Sequence, residues 1–375
     1  MKKKYIIEVV LFVSYALFSM SWKSGDFYIA NLGVTGAQTA IMTNAINIAK
    51  VIGCLAAAVV IAKLGMRQTY TWSTILVIVG ILVPFTRFFP AIFTLRFILG
   101  LGGAFIVVAM NPIASSVFEP GELAIVNGLN AVAFNTGLAV ALTIAAGIKA
   151  DPKKAIMIIS IILLGFLLLW LILSRGIGDK KAADAGVSQE KYSLFDGLKD
   201  SFNLLLAMGN VGLLSFYLIA MTFMNPADIK YVIYAGIIGA LAGSFGAKNV
   251  KNKLSFVRAT ALLQLLSAVA FVLASVYGIA VLLKITGLVL GFFIFFPLSA
   301  YITLGFIREG ATPARISVTF SIFWSVGYLM TVVIMQVFGV LKDKTGGLTI
   351  PLIFAVCCEA LFFIATLLIR LKKSE

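Results

Sequence analysis

Three basic side chains lie inside long apolar stretches of the sequence, where a charge is costly. Lys50 lies near the middle of TNAINIAKVIGCLAAAVV (43–60), and Arg96 and Lys284 lie in two other stretches. A charge at the centre of a bilayer costs at least about 2.5–3.5 kcal/mol, so such residues normally face a cavity or a partner. These positions predict either a binding site for negative charge or buried ion pairs.

Lys50 belongs to a polar stripe. Thr43, Asn47, Lys50 and Cys54 follow one another at intervals of four, three and four residues, which puts them on one face of a helix. We therefore expect Asn47 and Lys50 to contact a substrate. The alternative is a structural lysine that pairs with a carboxylate or a helix carbonyl.

Two acids within the apolar stretches are candidates for coupling transport to protons. Glu359 lies midway along the last stretch and could instead pair with Lys284. Glu8 lies near the start of the first stretch, and we expect it to reach the cytoplasmic interface. Because acids are otherwise scarce there, export of cations or amines is disfavoured.

Aromatic and hydroxyl side chains form two further stripes at helical spacing. They are Tyr15, Phe18 and Trp22 in the first stretch, and Ser317, Ser321, Trp324 and Tyr328 in the eleventh. Such groups can hold a small planar anion, although helix packing is the commoner use of aromatic stripes. Tyr15, Ser321, Trp324 and Tyr328 are therefore candidate substrate contacts.

The sequence offers little for catalysis. It contains no histidine, its three cysteines have no metal-site spacing, and it has no phosphate-binding GxxxxGK[ST] loop. We predict no catalytic residues, no metal and no cofactor.

The composition is that of a membrane protein. Of 375 residues, 61% are hydrophobic and 12% charged, and the mean hydropathy is +1.07. A helical span needs about 20 apolar residues. The sequence predicts twelve spans: 5–22, 36–62, 69–86, 91–115, 124–148, 155–174, 204–224, 229–247, 254–277, 279–307, 316–339 and 349–369.

Basic residues predict the orientation. With a cytoplasmic N-terminus, 19 of the 30 lysines and arginines lie in inside segments and 8, Lys23 among them, in outside segments. Both termini are therefore expected in the cytoplasm, with the chain in the plasma membrane. The polar interval between the sixth and seventh spans carries Leu194, Leu198 and Phe202 at helical spacing, which favours a short surface helix over a plain linker.

The two halves repeat the same landmarks. Arg96 is followed by Pro112 and Glu119, and Lys284 by Pro297 and Glu309. We predict two six-helix bundles, 1–174 and 204–375, joined by a cytoplasmic linker, 175–203. Internal repeats of this kind are typical of secondary transporters, which bind substrate near the midplane.

Three segments, RFILGLGGA (96–104), REGATPARIS (308–317) and FGVLKDKTGG (338–347), resemble those of major facilitator superfamily transporters. The resemblance implies an all-α membrane fold of twelve helices in two pseudo-symmetric bundles, with Arg96 and Lys284 facing each other across a cavity. One signature is degraded: Ala62 stands where the family has an aspartate after span 2.

Within that family, VFEPGELAIVNGLNAVAFNTG (117–137) is most similar to the nitrate/nitrite and cyanate-type anion porters. This resemblance implies that Asn135 and Lys50 face an anion. Span 2 departs from the nitrate branch, which has arginine where this chain has lysine.

The predicted function is therefore transport of a small organic or inorganic anion, by exchange or with protons. Export of drugs or lipophilic compounds is the main alternative, and a non-transporting receptor is a third. The expected partners are the anion and membrane lipids, not nucleic acid, and the expected functional form is a monomer.

Overall fold

The computed structural model describes residues 3–177 and 192–370. The chain divides into two compact units, Met1–Gly186 and Val187–Glu375. The division lies inside the predicted linker, of which residues 178–191 lie outside the described part. The predicted bundle bounds therefore stay predictions.

Both units are helical. Unit 1 contains α1 (Lys3–Ala30), α2 (Gly36–Leu64), α3 (Met66–Ile78) with a 3₁₀ continuation (Val79–Phe85), α4 (Phe89–Val117), α5 (Pro120–Thr143), α6 (Ala145–Ala150) and α7 (Pro152–Leu173). Unit 2 contains α8 (Leu194–Lys199), α9 (Ser201–Phe223), α10 (Pro226–Asn249), α11 (Lys253–Val276), α12 (Ala280–Phe295), α13 (Leu298–Ile307), α14 (Pro313–Thr345) and α15 (Thr349–Leu368).

Twelve helical segments of the described chain are long and apolar enough to cross a membrane, which confirms the predicted number. Their outward faces are apolar: in α7, Ile161 and Ile172 are among the most exposed side chains. Exposed apolar rows suit contact with lipid rather than water. The tenth span is divided into α12 and α13 around Pro297, because proline cannot supply the amide hydrogen that a continuous helix needs.

The units share one packing scheme. In unit 1, α1 packs against α5 and α7, and α4 packs against α2 and α3. In unit 2, α9 packs against α14 and α15 in the same way, and α12 packs against α10 and α11. This correspondence is what the repeated landmarks predicted.

The first helix is longer than predicted. The sequence placed its end at residue 22, because the polar stretch Lys23–Asp26 reads as a loop, but α1 continues to Ala30. Lys23 and Asp26 are buried, so the assignment of Lys23 to an outside segment is wrong. The turn that follows α1 contains Gly33, whose φ of 68° suits glycine.

In sequence, the short helix α8 lies between α7 and α9, where a surface helix was predicted. Ser193 caps its start: its hydroxyl accepts a hydrogen bond from the Asp196 amide, 3.2 Å away, and it donates one to the Asp196 carboxylate. The hydrogen bonds that the Ser193 hydroxyl and backbone amide donate to this carboxylate lower the pKa of Asp196. Leu194 and Leu198 are exposed on its surface, as an interfacial helix requires.

Glycines in the RFILGLGGA segment bring α4 close to its neighbours. A Cβ on Gly100 would lie 2.8 Å from the Ile46 Cα, and one on Gly102 would lie 2.6 Å from the Ser73 carbonyl oxygen. Both neighbours are backbone atoms, so neither can rotate away. Gly100 therefore fixes the separation of α4 from α2, the helix that carries Lys50.

We predict that Gly100→Ala lowers the thermal unfolding midpoint of the purified protein, because overpacking typically costs about 1–3 kcal/mol. Gly128→Ala is the matched control, since a Cβ there meets nothing within 4 Å. It should leave the midpoint unchanged or slightly higher, as alanine favours helix over glycine. Equal effects of the two substitutions would contradict the assigned role of Gly100.

Candidate functional site

Lys50 lies inside a ring of aromatic side chains in unit 1. Its Nζ lies 4.9 Å from the ring centroid of Phe134 on α5, and 5.2 and 5.6 Å from those of Trp22 and Phe18 on α1. Lysine and aromatic rings attract one another within about 6 Å. Only 4% of Lys50 is exposed, so the ammonium is held within the helix packing. We call Phe18, Trp22 and Phe134 the Lys50 cage.

The cage is built by the parallel packing of α1 on α5. Tyr15 stacks on Phe18, with centroids 5.7 Å apart, and lies 5.8 Å from Phe134. The Ser19 hydroxyl donates a hydrogen bond to the Phe134 carbonyl (2.8 Å). Gly137 contributes by letting the α1 backbone at Ala16 approach α5. Tyr15, a predicted site residue, thus supports the rings that surround Lys50.

Three of the four positions in the polar stripe of α2, Thr43, Asn47 and Lys50, are buried. Thr43 and Asn47 are fully buried, and the Asn47 Nδ2 donates to the Asn44 Oδ1 at 3.3 Å. Asn135 on α5 is also buried, next in sequence to Phe134. Cys54 is partly buried.

Several buried polar atoms near the cage have no hydrogen-bond partner among the described residues. They are Trp22 Nε1, Asn47 Oδ1 and both side-chain atoms of Asn130. Asn130 is 7% exposed and precedes Phe134 by one turn of α5, about 6 Å along the axis. An unsatisfied buried polar group costs about 1–3 kcal/mol, so a molecule that formed hydrogen bonds with these atoms would offset that cost. Together they offer N–H donors and amide oxygens.

Arg96 has a partner that the sequence analysis missed. Its Nη2 lies 2.6 Å from the Asp26 Oδ1, and both side chains are almost fully buried. Its Nε donates to the Met42 carbonyl (2.9 Å), and the Thr43 hydroxyl donates to the Asp26 Oδ1 at 3.3 Å. This ion pair joins α1, α2 and α4. The ion pair gives Arg96 a structural contact, and its contact with a substrate stays a prediction.

Two further lysines lie near the same end of α1 as the ion pair of Arg96 and Asp26. Lys23 is buried, with its Nζ 4.9 Å from the ring centroid of Phe27. The exposed Lys149 places its Nζ 5.5 Å from the same ring. Positive charge is thus concentrated around the C-terminal part of α1.

Glu8 is buried within the helix packing of unit 1. It is 7% exposed, and neither carboxylate oxygen has a hydrogen-bond partner among the described residues. The burial of Glu8 does not fix its depth in the membrane, so its place at the cytoplasmic interface stays a prediction. One turn earlier on α1, the Lys4 ammonium donates a hydrogen bond to the Glu122 carboxylate of α5. This hydrogen bond lowers the pKa of Glu122.

In unit 2, Lys284 and Glu359 do not form the suggested pair. Lys284 is exposed, and its Nζ lies 5.9 Å from the Tyr231 ring centroid. Glu359 is buried, and it accepts a hydrogen bond from the Gln264 Nε2 at 2.8 Å. An exposed lysine of this kind can extend its stem along the outside of its helix.

The predicted stripe of α14 is a packed aromatic cluster. Trp324 stacks on Tyr328, with centroids 6.1 Å apart, and meets Phe323 at 4.9 Å. Ser321 and Trp324 are partly buried, whereas Tyr328 is buried. These contacts are what helix packing requires, and they bring no buried charge to the stripe.

A family model describes the chain almost from end to end. The model of the Major Facilitator Superfamily matches residues 7–371. An uncharacterized protein of Campylobacter jejuni is 27% identical over 261 residues, which cover 67% of this chain and 78% of that protein.

Solved structures of transporters share the fold. A mutant of the nucleoside transporter NupG has a TM-score of 0.77 and 14% identity, and the match covers 98% of both chains. The inward-open xylose transporter XylE of E. coli has a TM-score of 0.76 and 13% identity, covering 99% of this chain and 98% of that one. A bacterial homolog of the human lysosomal transporter Spinster has a TM-score of 0.72 and 12% identity, covering 98% and 97%.

The ion pair of Asp26 and Arg96 can be tested by a mutant cycle. Arg96→Met and Asp26→Leu should each lower the thermal unfolding midpoint strongly, because a buried charge left alone costs about 3–5 kcal/mol. The double variant should recover most of the loss, since an apolar pair replaces an ionic one. Additive losses in the double variant would contradict the pairing, and Lys4→Met, at a partly exposed ion pair, should change the midpoint little.

Proposed function

We propose that this chain, which belongs to the Major Facilitator Superfamily, moves a small anion across the membrane by alternating access. It is a transporter and not an enzyme. The proposal places the substrate at the Lys50 cage in unit 1. It also places both termini in the cytoplasm, on the basis of the distribution of basic residues.

The observation that carries the proposal is the buried Lys50 ammonium, together with the unsatisfied polar atoms around it. An anion beside Lys50 would gain a charge-assisted hydrogen bond, which is about twice as strong as a neutral one. The indole N–H of Trp22 and the amide of Asn130 offer further donors. Such a set suits a small oxyanion or carboxylate.

The balance of buried charge supports the same sign of substrate. The described residues of unit 1 bury three cations, Lys23, Lys50 and Arg96, and two acids, Asp26 and Glu8. Asp26 forms an ion pair with Arg96. Glu8 lies far from the cage, because it precedes Phe18 by ten residues, about 15 Å along α1. The region around the cage therefore has net positive charge, which an anion would offset.

Anion exchange follows simply from a positive site. A positively charged site resists reorienting through the membrane interior, and a bound anion lowers that barrier. Symport with a proton needs a group that can take the proton up. Glu8 is the candidate in unit 1, because its buried carboxylate has no hydrogen-bond partner among the described residues.

The proposal predicts selective stabilisation by an anion. Purified protein is heated with nitrate, nitrite, cyanate, oxalate and other mono- and dicarboxylates at constant ionic strength. A substrate at 100 times its Kd should stabilise the wild type by about 2.7 kcal/mol, and should not stabilise Lys50→Met. Lys284→Met is the matched control, because that lysine is exposed in a span of unit 2 and should leave the response intact.

Two outcomes would contradict the proposal. A folded Lys50→Met variant that responds to the anion as the wild type does would show that the cage is not the site. Stabilisation by lipophilic cations or drugs, with no response to any anion, would favour export of lipophilic compounds and make Lys50 structural.

A further inference from the structure

A glutamate and a glutamine face each other in the interior of unit 2. Glu359 of α15 is 1% exposed and Gln264 of α11 is fully buried. The Gln264 Nε2 donates a hydrogen bond of 2.8 Å to the Glu359 Oε1. The other oxygen of each group, Glu359 Oε2 and Gln264 Oε1, has no hydrogen-bond partner among the described residues.

The count of hydrogens distinguishes the two protonation states of this pair. An ionised carboxylate only accepts hydrogen bonds, so Glu359 Oε2 and Gln264 Oε1 would both be acceptors without a donor. A protonated carboxyl carries one O–H, which can donate from Glu359 Oε2 to Gln264 Oε1. The acid and the amide then share two hydrogen bonds, and both unsatisfied oxygens gain their missing contact.

The surroundings contain no charge that would favour an ionised Glu359. α9 has no aspartate, glutamate, lysine or arginine, and those of α14 lie near its ends, at Arg315, Lys342, Asp343 and Lys344. On α11, Lys253 lies at the first turn, and Arg258 donates to the Thr366 and Ile369 carbonyls at the end of α15.

The other titratable groups of these helices are neutral thiols and phenols: Cys357 and Cys358 on α15, Tyr217 on α9, Tyr328 on α14, and the nearby Tyr301 of α13, whose hydroxyl donates to the Leu206 carbonyl. None of them supplies a positive charge. A carboxylate buried here would therefore carry the desolvation cost of an ion with no opposite charge to offset it.

We infer that Glu359 and Gln264 form a proton-binding site in which the carboxyl group stays protonated and joins α15 to α11 through two hydrogen bonds. The proton is structural. Glu359 therefore does not release a proton during transport, and coupling to protons, if the transporter uses it, takes place elsewhere in the chain. This inference does not depend on the identity of the substrate.

Infrared spectroscopy of the full-length protein tests the inference. The difference between the wild type and Glu359→Gln at neutral pH should contain the carbonyl band of a protonated carboxylic acid. The other buried acids contribute equally to both spectra and cancel. Carboxylate bands in this difference, with no carboxylic acid band, would overturn the inference.

Gln264→Leu provides the second variant, and it serves even if Glu359→Gln does not fold. The carbonyl band should move to higher frequency in Gln264→Leu, because Glu359 Oε1 loses its N–H donor. A spectrum identical to that of the wild type would overturn the pairing of these two residues.

Stability and transport supply an independent measurement. In Glu359→Gln an amide replaces the protonated acid and keeps both hydrogen bonds, so the unfolding midpoint and the pH profile of substrate uptake should match the wild type. A lost or displaced pH dependence of uptake in this variant would show that Glu359 exchanges its proton during transport.

Discussion

The cost of burying charge in a membrane interior governs this structure. Each buried ion must gain a partner, an aromatic surround or a proton, or the helix that carries it would be unstable. Arg96 has Asp26 at 2.6 Å, Lys50 has three aromatic rings within 6 Å, and Glu359 has Gln264 at 2.8 Å. These three solutions stabilise their helices in different ways, and the second is the one at which we propose that an anion binds.

The two units share their helix packing but not their buried chemistry. Unit 1 concentrates positive charge around α1, α2 and α5. Among the described residues of unit 2, one acidic or basic residue is buried, and it is Glu359. Lys284, which occupies the place of Arg96 in the second half of the repeat, lies exposed on α12. A shared architecture fixes where helices lie, and individual side chains decide which unit binds the substrate. The asymmetry is why the proposal assigns recognition of negative charge to unit 1.

Hydropathy and repeats predicted the twelve spans and the paired packing of both halves, because apolar length and small residues at contacts are local properties of the sequence. The partners of the buried charges could not be predicted in that way. Asp26 was missed since a run of polar residues reads as a loop, although Phe27, Tyr28 and Ile29 follow it and indicate a continuing helix. Phe134 and Gln264 lie more than 80 residues from the residues they contact, and spacing along one helix carries no information about such pairs.

Counterflow in proteoliposomes measures directly whether Lys50 is needed to move the anion that we propose it neutralises. Vesicles loaded with the anion that stabilises the protein most are diluted into a trace of the same labelled anion. We expect transient accumulation of label inside vesicles that contain the wild type or Lys284→Met. We expect none with a folded Lys50→Met protein. Accumulation by Lys50→Met at the wild-type rate would contradict a role of Lys50 in anion transport and would leave Lys50 as part of the helix packing.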